Sequence, residues 1–185
     1  LTAYHEAGHA IVGLNVQYHD PVYKVSILPR SSALGVTLFL PFKERYSYSY
    51  SFLSSQIISL FGGRVAEEII FGKSSVTTGA SNDLQRATEL CRKMIIQWGL
   101  SDKIGPIFLD NSSENDDFFN YKKNFISEKT VKIDKELFFL LNKLYKLAGD
   151  ILLQHIDQLH EMSYELLIHE SITSVQIEKI MKKSI

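Results

Sequence analysis

His5-Glu6-Ala7-Gly8-His9 is the run of this chain best equipped for chemistry. On an α-helix, residues four apart stand on one face, one turn above the other. His5 and His9 can therefore aim ring nitrogens at a single Zn²⁺ ion, at about 2.0–2.1 Å. Glu6 lies one residue round the helix, off the ligand face but within reach of a water beside the metal. A carboxylate there can take the water's proton and pass it to a leaving amine, because zinc lowers the pKa of a bound water to about 7. The chemistry such a pattern can do is metal-assisted hydrolysis. Gly8 fits it: glycine inside a helix costs about 0.8–1.0 kcal/mol relative to alanine, which implies a need for room beside the metal.

Catalytic zinc keeps three protein ligands and one open position. Two further places could supply the third. Glu67 or Glu68, in a short helical stretch, would complete a set of two histidines and one glutamate. Asp83, just inside a later helix, offers a short carboxylate where a turn meets a helix. Each has a plainer role as well. The glutamates can form a solvated helix face, and Asp83 can stabilise a helix N-terminus by about 0.3–1 kcal/mol. Spacing alone does not separate these candidates.

The elements that must position these groups read as mainly helical. Residues 2 to 18 form a helix with Ala3, Ala10, Ile11, Leu14 and Tyr18 on one face, broken at Asp20-Pro21. Val22 to Leu28 and Gly35 to Leu40 read as two strands, each closed by a proline, joined through Arg30 to Leu34 into a small β-ribbon. The Tyr/Ser alternation from Tyr46 to Ser51 reads as a loop running into a helix. Phe52 to Phe61 is a helix ended by Gly62-Gly63, and Arg64 to Phe71 a second one closed by Gly72. Ser81 or Asn82 caps a helix running to Trp98, which reads as core, and Gly99 ends it. Asp110 to Lys123 is a polar surface excursion. Beyond it, Ile133, Leu137, Leu140, Leu144, Leu147 and Ile151 mark the buried face of a long helix, followed by helices around Gln158 to His169 and Ser174 to Lys182. The expected fold class is mainly α (α+β), an array of helices with a small β-ribbon.

The bulk numbers exclude several classes. The 185 residues suit one domain with a sizeable core. A formal net charge of −1, with basic residues scattered through helical stretches, argues against a nucleic-acid partner. Cys91 is the single cysteine, so a disulfide or thiolate zinc framework is impossible, and it reads as a small core residue. No apolar run approaches the ~20 residues needed to span a bilayer. Gly72-Lys73-Ser74 looks like the tail of a phosphate-binding loop, but Glu67 stands where that pattern requires glycine. His19, His155, His160 and His169 lack ligand spacing and read as surface or interface residues. The metal-binding pattern starts at residue 5 without a leading methionine, so a longer protein is expected.

AYHEAGHA (3–10), ALGVT (33–37) within the Val25 to Pro41 segment, GGRVAEEIIFG (62–72) and TTGASNDL (77–84) occur in this order. QWGLSDKIGPI (97–107) and the helical tail with IDKEL (133–137) continue the series. Together they resemble the peptidase domain of the FtsH family, over essentially the whole chain. The resemblance implies a zinc endopeptidase acting on unfolded or membrane-extracted proteins, with one Zn²⁺ per chain held by His5, His9 and Asp83 and with Glu6 as general base. It implies that Glu67 orients a ligand or water rather than binding metal. The strand carrying Gly35, Val36 and Thr37 would line the cleft and take an extended substrate on its edge. Residues 1–185 would then be a single peptidase domain, cut from a protein whose ATPase and membrane-spanning segments lie elsewhere. ATP enters only through that ATPase, and a homo- or hetero-hexamer engaged in membrane protein quality control is the implied assembly. The setting is a bacterial inner membrane or a mitochondrial or plastid membrane. The Asn111 to Lys123 stretch and the Tyr/Ser alternation depart from the family pattern without touching the metal set.

The competing class is a catalytically silent, zinc-stabilised oligomerisation module. It predicts retained ligands with the base lost, whereas Glu6 is present.

Overall fold

The computed structural model describes residues 1–29, 34–41, 43–109 and 119–182, with the side chains of residues 119–129 outside that description. Its elements are α1 (Thr2–Asn15), β1 (Val22–Ser26), β2 (Val36–Phe39), α2 (Tyr50–Phe71), α3 (Ser81–Ile96), α4 (Phe119–Gln154), α5 (Ile156–His169), β3 (Ser171–Thr173) and α6 (Ser174–Lys182). Two 3₁₀ turns, Lys73–Ser75 and Thr78–Ala80, join α2 to α3. The mainly helical expectation agrees with this architecture. The Arg30 to Leu34 connection, except Leu34, and residues 110–118 of the polar excursion fall outside the described residues. Residues 119–123, read as part of that excursion, already belong to helix α4.

Helix α1 is the centre of the molecule. Every residue from Glu6 through Gly13 is buried, because α2, α4, α5 and the sheet all pack on it. A helix covered on all sides needs no apolar stripe, which is why its small residues Ala3, Ala7, Gly8 and Ala10 sit among polar ones. It stops earlier than its periodicity predicts. Val16 turns extended, Asn15 Nδ2 donates to Ile11 O, and Leu14 and Tyr18 are exposed rather than core.

Helix α2 corrects the reading most. It runs unbroken for 22 residues through Gly62-Gly63, starting from Ser49, whose hydroxyl accepts from Phe52 N at 3.2 Å. The two glycines do not end a helix; they let one cross another. A Cβ on Gly8 would collide with Gly62 O, and a Cβ on Gly62 would lie 2.5 Å from Gly8 O. The room implied by Gly8 therefore serves the crossing of α1 and α2, where backbones touch, and not the metal.

The predicted ribbon is a three-stranded antiparallel sheet in the order β2-β1-β3. Val25 pairs with Thr37 on one side and Ile172 on the other. Strand β3 was invisible as a strand because it is three residues long, set between α5 and α6 and entered through Glu170 at φ 56. Strand β2 is left with an open outer edge among the described residues.

Smaller corrections follow from packing. Helix α3 is preceded by Ala80 with no side-chain cap, so neither Ser81 nor Asn82 caps it. Trp98 is 45% exposed, since α3 ends at Ile96 and the chain turns at Gly99 with φ 58. Cys91 is fully buried, and burial beside Glu136 pushes its thiol up to about 12. On α4 the buried stripe runs Ile133, Leu137, Leu140, Leu144, Ala148, Leu152; Leu147 is 39% exposed. Among the described residues, no helix is long and apolar enough to cross a membrane.

Candidate metal centre

Two elements meet at one point. Helix α1 carries His5 and His9 on adjacent turns, and the start of α3 brings in Asp83 from the far side of the 3₁₀ turns. The donor atoms form a small triangle. His5 Nε2 and His9 Nε2 are 3.1 Å apart, and Asp83 Oδ2 lies 3.4 Å from the first and 3.3 Å from the second. Among the described residues these three form the candidate metal-holding group. For an ion with bonds of about 2.0–2.1 Å, tetrahedral angles place neighbouring donors roughly 3.3–3.4 Å apart. The observed edges fit one ion.

The tautomers sharpen the fit. His9 Nδ1 lies 2.8 Å from Ser59 O, a carbonyl that can only accept, so Nδ1 carries the proton. His5 Nδ1 lies 2.8 Å from Glu67 Oε1 and donates to it in the same way. In the neutral rings both Nε2 atoms are therefore bare lone pairs facing each other and a carboxylate oxygen, and a proton gained there is shared with Asp83. Three electron-rich atoms at these distances repel unless a cation, a metal ion or a proton, lies among them. The electrostatics carry that sign. Burial pulls the His5 imidazole down, but the Asp83 and Glu67 hydrogen bonds and the Glu6 charge outweigh it, and its pKa is raised. Burial pushes Asp83 up, yet the hydrogen bonds from His5 and His9 hold its carboxyl well below the usual range.

The two adjacent glutamates part company here. Glu67 is fully buried and gives its second oxygen, Oε2, to Thr77 N at 2.9 Å and Thr77 Oγ1 at 3.1 Å. It thus ties His5 to the turn that leads into Asp83, and its carboxylate stays one side chain away from the triangle. Glu68 points elsewhere, accepting from Tyr145 Oη at 2.7 Å with Lys73 Nζ at 3.5 Å. Of the three carboxylates that spacing left open, Asp83 is the one beside both His5 Nε2 and His9 Nε2.

Glu6 is 7% exposed and faces strand β2. Thr37 Oγ1 donates to its Oε2 at 2.7 Å, so Thr37, expected only to line the cleft, touches Glu6 itself. Gly35 packs against the same carboxylate, while Val36 is half-buried on β2. The other histidines stay out of the centre. His160 contacts Tyr4 Oη at 2.8 Å and His169 pairs with Glu165, both exposed. His19 and His155, read as surface or interface residues, are half-buried. Lys73 turns toward Glu68, in keeping with a plain turn at Gly72-Lys73-Ser74.

Three residues of this centre were missed by sequence reasoning: Ser59, Gly63 and Thr77. A Cβ on Gly63 would lie 2.5 Å from His9 Nε2 and 2.6 Å from His5 Nε2. Gly63 is therefore the glycine that keeps space open where the two Nε2 atoms meet. Its signal was present, since glycine inside an apolar helical period often marks a close approach. Ser59 acts through its backbone carbonyl, which no side-chain motif encodes.

The family model described as "Peptidase family M41" matches residues 1–180. The chain is 48% identical over 186 aligned residues to the ATP-dependent zinc metalloprotease FtsH of Photobacterium profundum, covering 98% of this chain and 27% of that protein. It is 47% identical to the protein of that name from Buchnera aphidicola subsp. Baizongia pistaciae (98% and 30% covered). For the one from Haemophilus influenzae the identity is 45% (98% and 29% covered). The chain spans less than a third of the length of these relatives. Their names do not favour a catalytically silent module. On the family model and on these identities, the chain belongs to peptidase family M41.

Proposed function

We propose that this chain is the zinc-dependent endopeptidase part of a longer, ATP-dependent protease of the FtsH type. The observation that carries the reading is the convergence of His5 Nε2, His9 Nε2 and Asp83 Oδ2, two bare lone pairs and a carboxylate oxygen, at 3.1–3.4 Å. These three residues would hold one Zn²⁺. When bound, the ion supplies Lewis acidity toward a peptide carbonyl and toward water near neutral pH. Glu6 takes a proton from the attacking water and returns it to the leaving nitrogen. Glu67 orients His5 through Nδ1, and Ser59 O orients His9, fixing which nitrogen faces the metal. The open edge of β2, with Gly35, Val36 and Thr37, takes an extended polypeptide by main-chain hydrogen bonds, a mode tolerant of sequence.

The remainder of the reading concerns the whole protein. Its substrates are unfolded or membrane-extracted polypeptides. ATP acts through an ATPase part outside this chain, the chains assemble as a homo- or hetero-hexamer, and the setting is a membrane. The relatives' printed names support ATP dependence and zinc, and their bacterial sources favour a bacterial inner membrane over an organelle.

Cleavage of casein by the longer protein, beside Glu6→Gln and beside Asp83→Ala, tests this. The expected result is chelator-sensitive cleavage restored by Zn²⁺, abolished by Glu6→Gln with zinc retained, and abolished by Asp83→Ala with zinc lost. Indifference to chelators would sink the metal mechanism, and unchanged zinc in Asp83→Ala would remove the third ligand.

A further inference from the structure

Strand β2 and Gly35, the residue just before it, meet Glu6 at two points that substrate binding does not require. Thr37 Oγ1 lies 2.7 Å from Glu6 Oε2 and 3.0 Å from the Glu6 main-chain oxygen. One hydroxyl thus spans the side chain and backbone of a single residue, tying the carboxylate's torsion angles to both α1 and β2. A hydroxyl donating to an ionised carboxylate forms a short, charge-assisted bond, stronger than a neutral one. The second point is Gly35. A Cβ there would fall 2.6 Å from Glu6 Oε1, 2.7 Å from its Cγ and 3.0 Å from its Cδ. The Glu6 carboxylate occupies the volume a Gly35 side chain would take. Gly35 is absent from the positive-φ glycines, so its backbone does not require glycine; the contact with Glu6 does.

We infer that β2 positions the base: Thr37 orients the Glu6 carboxylate through its hydroxyl, and Gly35 leaves the space in which that carboxylate sits. The inference rests on the reading of Glu6 as general base. Thr37 is then a positioning residue, acting on the reaction through Glu6. The strand carries two roles on its two sides. Its open edge is available to a substrate backbone, while Gly35 and Thr37 fix the group that moves the proton. Misplacing a reacting group by a fraction of an ångström costs rate rather than affinity.

The test uses the full-length, zinc-loaded protein and a fluorogenic peptide, so that kcat and KM are read separately. Thr37→Val keeps the branched shape and the backbone of β2 and removes only the hydroxyl. It is expected to lower kcat about 10- to 100-fold with KM and zinc content unchanged, and Thr37→Ser to recover most of the loss. A crystal structure of Thr37→Val should show the Glu6 carboxylate displaced. Gly35→Ala, which leaves Thr37 in place, reaches the same claim by a second route, with kcat reduced and zinc retained. Several outcomes overturn the inference: kcat preserved in Thr37→Val or in Gly35→Ala, a change confined to KM, or a serine variant as poor as the valine one. If Glu6→Gln still cleaves, the general-base reading itself fails, and that result stands apart from the others.

Discussion

Helix α2 has two buried faces built on different terms. One meets α1 and α3 with Ser59, Gly62, Gly63, Ala66 and Glu67; the other meets α4 with Phe61, Val65 and Glu68. On the first, backbones nearly touch and each polar group has an assigned partner: Ser59 O for His9, Glu67 for His5 and Thr77. On the second, rings and aliphatic groups fill space, with Phe61 and Tyr145 at 5.2 Å between ring centroids and a hydrogen bond from Tyr145 to Glu68 at the rim. Burial beside Glu68 pushes the Tyr145 phenol up to about 12, so it stays a donor. The first face is fixed by distances that admit no added atom, whereas the second is fixed by volume, which can adjust. A site needing donors placed to tenths of an ångström belongs on the first.

Adding one methyl group breaks the first face most severely. In Gly63→Ala the methyl carbon would lie 2.5 and 2.6 Å from the Nε2 atoms of His9 and His5. One imidazole must leave the triangle, and bound zinc should drop at least roughly tenfold, since displacing one of three ligands costs no less than disturbing a group that orients one. Metal analysis of the purified variant, with circular dichroism to confirm folding, reads this directly. Stoichiometric zinc in folded Gly63→Ala would mean the two faces do not differ in kind.

How far the sequence discloses this contrast varies along the chain. The meeting of His5 and His9 was legible because helical spacing alone puts them on one face. Asp83 was one candidate among three on physics, and the family resemblance chose it. The long α4 was legible from periodicity, since an amphipathic helix displays its buried stripe. The face of α2 toward α1 was misread for a physical reason. Gly62-Gly63 means helix end when local propensity decides, but tertiary contact with α1 overrides propensity and recruits the same residues for close approach. Strand β3 was missed because three residues have no periodicity to display. Thr77 and Ser59 were missed because they act through a turn and a backbone carbonyl, placed only by the fold.

Glu67→Gln sharpens the comparison at an intermediate scale. Glutamine keeps the volume, so filling is unchanged, but the pattern of donors and acceptors is not. The buried carboxylate accepts from His5 Nδ1, Thr77 N and Thr77 Oγ1. An amide has one accepting atom, so its NH₂ must face one of these donors. Zinc affinity should weaken about 10- to 100-fold, the usual cost of disturbing a group that orients a metal-binding histidine. A competition titration against a chelator measures it. The effect should stay below that of Asp83→Ala; the reverse order would transfer the ligand role to Glu67.

The smallest effect concerns the face toward α4. Gly149, within α4, presents an open position where a Cβ would sit 3.7 Å from Val65 Cγ1, an ordinary contact. Its backbone is helical, so Gly149→Ala meets no steric or conformational penalty and gains helix propensity of roughly 0.5–1 kcal/mol. In a chain of this size that should raise the unfolding midpoint by about 1–4 °C, with zinc content unchanged. The same glycine-to-alanine change would then cost the metal site on one side of α2 and stabilise the fold on the other. A lower midpoint in Gly149→Ala would show that α4 packs on α2 as tightly as α1 does, and the distinction between a face fixed by distance and a face fixed by volume would fail at its own control.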